Sequence, residues 1–178
     1  LFHIYKYLYL IPKGIIEFKN ERLLIGGKLK TKSNESSIIF FTTHKCASKF
    51  FHQFFNDIAK QSYLKKFNFD EYILRYAKYD LQDTLYYNHG LEKGCIFAPI
   101  RRFEKFKNIH NYKVILAIRD PRDVLVSYYF STLYSHDVNS TSFLSHRKKF
   151  ENHDIDSFVI ENSNWLFKTL DQYKNNLV

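Results

Sequence analysis

Two short runs of β-branched and aromatic residues each pass almost directly into a helix start, and that pairing limits the folds open to the chain. The first run, Ile38-Ile39-Phe40-Phe41-Thr42, leads through a polar loop, Thr43 to Ser48, to Phe51, Phe54, Phe55, Ile58 and Ala59 at helical spacing. Ser48 is the expected N-cap. The second run, Val114-Ile115-Leu116-Ala117-Ile118, reads as the clearest buried strand in the chain. It leads to Asp120 as N-cap, Pro121 as first helical residue and Asp123 as first-turn acid. Two strand-to-helix units separated by helical sequence imply right-handed crossovers. The expected fold is therefore α/β, with a parallel sheet covered by helices on both faces. Ligands of such sheets bind beyond the carboxyl ends of the strands, where Thr43 to Ser48 and Arg119 to Arg122 lie.

The remaining segments are read more simply. Leu1 to Phe18 is aromatic and of mixed period, and the pair Gly26-Gly27 within Leu23 to Lys30 is a turn suited to joining two short strands. Phe69 to Tyr87 is expected to be largely helical, Gly94 to Ala98 a short strand ending at Pro99, Arg101 to His110 a charged surface helix or turn, and Ile155 to Tyr173 an amphipathic helix.

The chain has 178 residues and is 45% hydrophobic, with only 5 Gly and 3 Pro, so no linker divides it and residues 1–178 read as one domain. It has no Met, and its last helix runs toward Val178 with no following strand, so the expectation is a domain cut at both ends. Two cysteines, Cys46 and Cys95, give neither a disulfide framework nor a zinc spacing, which suits a reducing, cytoplasmic setting. Lys6, Lys13 and Lys19 interrupt the apolar N-terminal stretch, leaving no membrane span and no signal-peptide pattern; an upstream signal or anchor stays open. The net charge of +9 favours an anionic partner: nucleic acid, an anionic membrane surface or a phosphorylated small molecule.

The two loops narrow that choice. A strand, a polar loop and a helix start bring free backbone N–H groups and the positive end of a helix dipole to one spot. There the N–H groups of Ala47, Ser48 and Lys49 can cradle a phosphate, the Ser48 hydroxyl can add a hydrogen bond, and Lys45 can place a cation on it. The loop is not a Walker A sequence, since it lacks Gly and its Lys stands three residues before the Ser. Nor does Cys46 read as a phosphatase nucleophile, because His52 stands where such a loop needs Arg. Arg119 and Ser127 offer a second anion site. They are separated by a helical rise of at most ~12 Å, which a guanidinium arm can shorten. The plainer alternative pairs Arg119 with Asp120 or Asp123 and leaves Ser127 on the helix surface.

Ile118-Arg119-Asp120-Pro121-Arg122-Asp123-Val124-Leu125-Val126-Ser127-Tyr128-Tyr129 resembles the 3′-phosphate motif of sulfotransferases that use 3′-phosphoadenosine 5′-phosphosulfate (PAPS). Thr43-His44-Lys45-Cys46-Ala47-Ser48-Lys49-Phe50 resembles their 5′-phosphosulfate loop. The resemblance covers Ile38 to Phe55 and Val114 to Ser131 and is loose elsewhere. It implies a three-layer α/β fold of the P-loop kinase type, PAPS as donor and no metal. Carried over by position, Lys45 is the catalytic lysine, Ser48 a phosphate-binding hydroxyl, Phe50 an aromatic stacking on adenine, and Arg119 and Ser127 ligands of the 3′-phosphate. Cys46, Ala47 and Lys49 complete the loop.

Two departures stand out. Ala47 occupies a position where the family commonly has Gly, so the backbone is expected to keep an ordinary negative φ there; Lys49 replaces a second hydroxyl residue. Phe97-Ala98-Pro99 stands about where cytosolic members carry a His-Leu-Pro-like element. That leaves the general base among His89, His44 and Glu92, with His89 placed in the catalytic set beside Lys45. Arg101 and Arg102 are candidates to line an acceptor pocket. The acceptor implied is a small molecule or carbohydrate, not nucleic acid. The rival readings are a nucleotide-dependent phosphotransferase on a related fold and a non-enzymatic basic module binding polyanions.

Overall fold

The computed structural model describes residues 19–24, 27–68, 90–135 and 141–177, without the side chains of 141–143. Strands β1 (Ile38–Thr42), β2 (Lys65–Phe67), β3 (Cys95–Ile100) and β4 (Lys113–Ala117) form a four-stranded sheet in the order β2-β3-β1-β4. The strands run parallel, and the protein is of the α/β class. Helices α1 (Ser48–Gln61), α2 (Pro121–Phe130), α3 (Thr141–Phe150) and α4 (Ile155–Leu177) accompany it, with a 3-10 turn at Ile109–Asn111 and a π-helical turn at Ser131–Ser135. No described helix is long and apolar enough to cross a membrane.

By contact the chain divides into two compact units. The first comprises Leu1–Phe41, Lys49–Ile100 and Glu104–Ile115; the second comprises Thr42–Ser48, Arg101–Phe103 and Leu116–Val178.

The first unit holds the body of the sheet. Ile39, Phe40 and Phe41 are buried in succession, as a strand covered on both faces requires. Alternation along the strand sends Phe40 toward α1, where its ring lies 4.5 Å from Phe51 and 4.9 Å from Phe55, and sends Phe41 to Phe106. β3 is buried along its whole length and continues through Pro99, beyond the expected end at Ala98. Pro99 has no N–H to give the ladder. The pairing accommodates it: Ile38 and Ile39 face Ile96 and Phe97, then the register shifts so that Phe41 faces Ile100.

The second unit packs around two clusters. Cys46, Val124, Leu125 and Leu166 form one, with Val159 and Leu170 against it. The other is aromatic: Phe158 meets Tyr128 at 5.4 Å, Tyr129 at 5.3 Å and Phe150 at 4.7 Å. α2 starts as the sequence requires, the Asp120 carboxylate accepting the Arg122 N–H at 2.9 Å with Pro121 as first residue.

Two expectations are corrected. Val114 to Ile118 is not a buried strand: β4 is the outer strand of the described sheet, with Val114 38%, Ile115 44% and the following Ile118 62% exposed. An apolar run fits an outer strand as well as an inner one, and the crossovers decide which it becomes. Around Gly26-Gly27 there is no strand pair among the described residues. Residues 19–24 are helical, and Gly27 at φ 63° closes that helix, its N–H bonding to the Leu24 carbonyl and that of Lys28 to Leu23. Of the helix or turn expected over Arg101 to His110, the structure shows turns and the start of the 3-10 segment. Leu1 to Phe18 and most of Phe69 to Tyr87 lie outside the described residues.

Candidate functional site

β1 and β4 are neighbours, and the chain leaves β1 for one side of the sheet and later reaches β4 on the other. Such a reversal of strand order opens a crevice beyond the carboxyl ends of the strands. The two loops that leave there, Thr43 to Ala47 and Ile118 to Asp120, both belong to the second unit.

The first loop is held in an uncommon backbone. Lys45 has φ 64° and Ala47 φ 55°. The expectation of a negative φ at Ala47 is thus overturned: alanine adopts the left-handed conformation that glycine would take without strain. Each such residue costs about 1–2 kcal/mol against the right-handed alternative. Left-handed residues on either side of Cys46 are a backbone element from which anion-binding nests are built. The helix that follows begins at Ser48, so Ser48 is its first helical residue and not its cap.

The strain is offset by bracing. The Cys46 side chain is buried against Val124, Leu125 and Leu166, and its sulfur lies 2.8 Å from the Thr43 hydroxyl. Cys46 can therefore meet an anion only through its backbone N–H. Tyr173, buried on α4, donates its hydroxyl to the Thr42 carbonyl at 2.9 Å, and its ring meets Phe103 edge-on at 6.2 Å. One side chain thus fixes both the end of β1 and the segment Arg101–Phe103. The His44 ring lies 5.7 Å from Trp165, also on α4.

Arg119 comes to this loop. Its Nη1 donates to the Lys45 carbonyl at 3.5 Å, and its Nε faces the Asp123 carboxylate at 3.4 Å. The pairing with Asp123 that the sequence left as an alternative is present, but it takes only one edge of the guanidinium. Both groups are about half exposed, so the pair contributes little to stability. Asp120 belongs instead to Arg122, whose guanidinium reaches it at 2.7 Å. Ser127 is half-buried in α2, and its hydroxyl bonds to no described residue.

Lys49 and Phe50 lie in the first turn of α1, in the first unit. Phe50 is 63% exposed and stacks on Phe54 at 6.2 Å. Of the candidate bases, His89 lies outside the described residues. Glu92 is in the first unit, where hydrogen bonds from Asn111 and Asn108 hold its carboxyl below the usual range; it serves the turn that precedes β4. His44 is in the second unit beside Lys45. Burial, and then the charges of Arg101, Arg102 and Lys45, lower its pKa to about 4. Phe97, at the position of the His-Leu-Pro-like element, is sealed in the core among Phe67, Phe106 and Tyr112.

Sequence reasoning missed Tyr173, Trp165 and Leu166. The spacing of Phe158, Leu166 and Tyr173 marks a buried face of α4, but it carries no sign that this face supports a loop far away in sequence.

Fold and site together define an α/β protein with a braced, cation-bearing loop beside the end of its central strand. No family model, no curated protein and no solved structure matches the chain.

Proposed function

We propose that this is a sulfotransferase domain that binds PAPS, taking the sulfonate end at the Lys45 loop and the 3′-phosphate between Arg119 and Ser127. The observation that carries the reading is the approach of Arg119 to the Lys45 carbonyl at 3.5 Å. It supports the reading because it brings together the two loops expected to take the two charged ends of the nucleotide. The residues suit such a ligand: left-handed backbone at Lys45 and Ala47 can turn loop N–H groups toward a 5′-phosphate, and a guanidinium suits a terminal monoester.

The bound donor supplies a sulfonate whose departure leaves negative charge on the 5′-phosphate oxygen. Lys45 lowers the barrier by holding a positive charge where that charge develops, and the loop N–H groups hold the phosphate in line. Arg119 with Ser127 selects nucleotides that carry a 3′-phosphate. The acceptor is a hydroxyl or amine of a small molecule or carbohydrate.

Calorimetry with 3′-phosphoadenosine 5′-phosphate and with ADP tests the reading. The first should bind at least about tenfold more tightly, and Arg119→Ala should erase most of that margin, since a charge-assisted hydrogen bond contributes about 1.5–3 kcal/mol. Equal affinities in the unmodified protein would overturn it. ADP binding that requires Mg²⁺ and ignores the 3′-phosphate would favour a phosphotransferase. Salt-sensitive binding of polyanions unaffected by Lys45→Ala would favour a basic binding module.

A further inference from the structure

Arg119, Asp120, Arg122 and Asp123 crowd the start of α2, and the structure sorts them into two separate pairs. Asp120 takes Arg122: its Oδ1 accepts from the Arg122 backbone N–H at 2.9 Å and from Nε at 3.1 Å, and its Oδ2 accepts from Nη2 at 2.7 Å. Arg122 is thereby turned back onto the helix cap. Asp123 is left to Arg119, its Oδ2 accepting from Nε at 3.4 Å. Arg119 also gives Nη1 to the Lys45 carbonyl at 3.5 Å, while its Nη2 bonds to no described residue. Both contacts are long and both side chains are about half exposed, so the Arg119 and Asp123 pair adds little to stability. What it fixes is direction.

Charge points the same way. Two arginines and two aspartates cancel, so this turn offers an anion no surplus charge. Its attraction has to rest on donors that are already aimed. A free arginine samples many rotamers, and immobilising it on a ligand costs affinity. A guanidinium held at Nε and Nη1 has lost part of that freedom before the ligand arrives. Resting on the proposed PAPS site, we infer that Asp123 is a positioning residue for nucleotide selection, holding the Arg119 guanidinium so that Nη2 is presented to the 3′-phosphate. Asp123 acts through Arg119 alone, because an ionised carboxylate has only acceptors and can give no hydrogen bond to a phosphate. Its charge opposes the ligand, but repulsion between exposed charges is screened by salt. Orientation therefore outweighs it.

The two effects have opposite signs, which makes them separable. Calorimetry with 3′-phosphoadenosine 5′-phosphate and with ADP compares the unmodified protein with Asp123→Ala, Asp123→Asn, Arg119→Ala and the double alanine variant. Asp123→Ala should weaken binding of the first nucleotide about three- to tenfold, the effect of freeing one rotamer-rich side chain, and leave ADP binding unchanged. Asp123→Asn keeps an oxygen acceptor for Nε and should recover most of the loss. With Arg119 already replaced, Asp123→Ala should do nothing further. Tighter binding in both Asp123 variants would make the carboxylate a repelling charge and overturn the inference. Unchanged binding in Asp123→Ala, an equal loss for both nucleotides, or a further loss in the double variant would overturn it as well. All of these leave the proposed function standing, provided that the unmodified protein prefers the nucleotide with the 3′-phosphate. Equal affinities in the unmodified protein would overturn both.

Discussion

The two strand-to-helix junctions solve the same problem in opposite ways. The second, from β4 into α2, is specified locally: Asp120 caps, Pro121 begins the helix, and Asp123 follows in the first turn. The first, from β1 into α1, has no acid in its first helical turn and carries Lys45 and Ala47 in left-handed backbone. It keeps that shape because α4 supports it through Leu166 at Cys46, Trp165 at His44 and Tyr173 at Thr42. A junction stabilised by its own residues needs little else, whereas a strained junction depends on distant packing. The contrast separates a helix start fixed by its own residues from a loop held in left-handed backbone by a distant helix.

Removing the distant support should damage the first junction most. Leu166→Ala should cost about 2–5 kcal/mol in denaturant unfolding, the range for truncating a buried leucine, and should weaken nucleotide binding as well. Unchanged binding would show that Cys46 does not need that support. Tyr173→Phe, which removes only the hydroxyl from the buried bond to Thr42, should cost about 1–2 kcal/mol and reduce nucleotide affinity without altering secondary structure by circular dichroism. Ala47→Gly acts the other way. By relieving the left-handed alanine it should stabilise the fold by up to about 1 kcal/mol; a destabilised variant would mean that φ at 47 is not positive in solution.

Acid should separate the junctions by window. His44 has a folded pKa below its ordinary value of 6.5, so protonation opposes folding. Its contribution is complete above pH 6.5 and is lost as pH falls toward 4. The Asp120 carboxyl, bound by the side chain and backbone N–H of Arg122, is lowered from 3.8 to about 2. Its contribution is therefore kept down to about pH 4 and lost toward pH 2. His44→Gln should flatten only the upper window of a melting-temperature profile, and Asp120→Asn only the lower.

These differences also explain what the sequence could reveal. The start of α2 is legible because cap, proline and acid act within one turn. β1 is legible because Ile39, Phe40 and Phe41 can be buried together only in a strand covered on both faces. The exposure of β4 is not legible, since its apolar content is equally compatible with either place in the sheet. Pro99 inside β3 is tolerated through a register shift in a neighbouring strand. The sign of φ at Ala47 is set against the residue's own preference by side chains on α4, and the Tyr173 to Thr42 bond spans 131 positions. Local chemistry reads out well wherever the cause is local.

The outer position of β4 bears on how this chain behaves at high concentration. Among the described residues β4 and β2 are the two edges of the sheet, and Val114 and Ile115 of β4 are both partly open to water, so β4 is an edge that could pair with a further strand. Lys113, exposed at its start and 3.7 Å from the Glu35 carboxylate, is the kind of edge charge that disfavours such pairing.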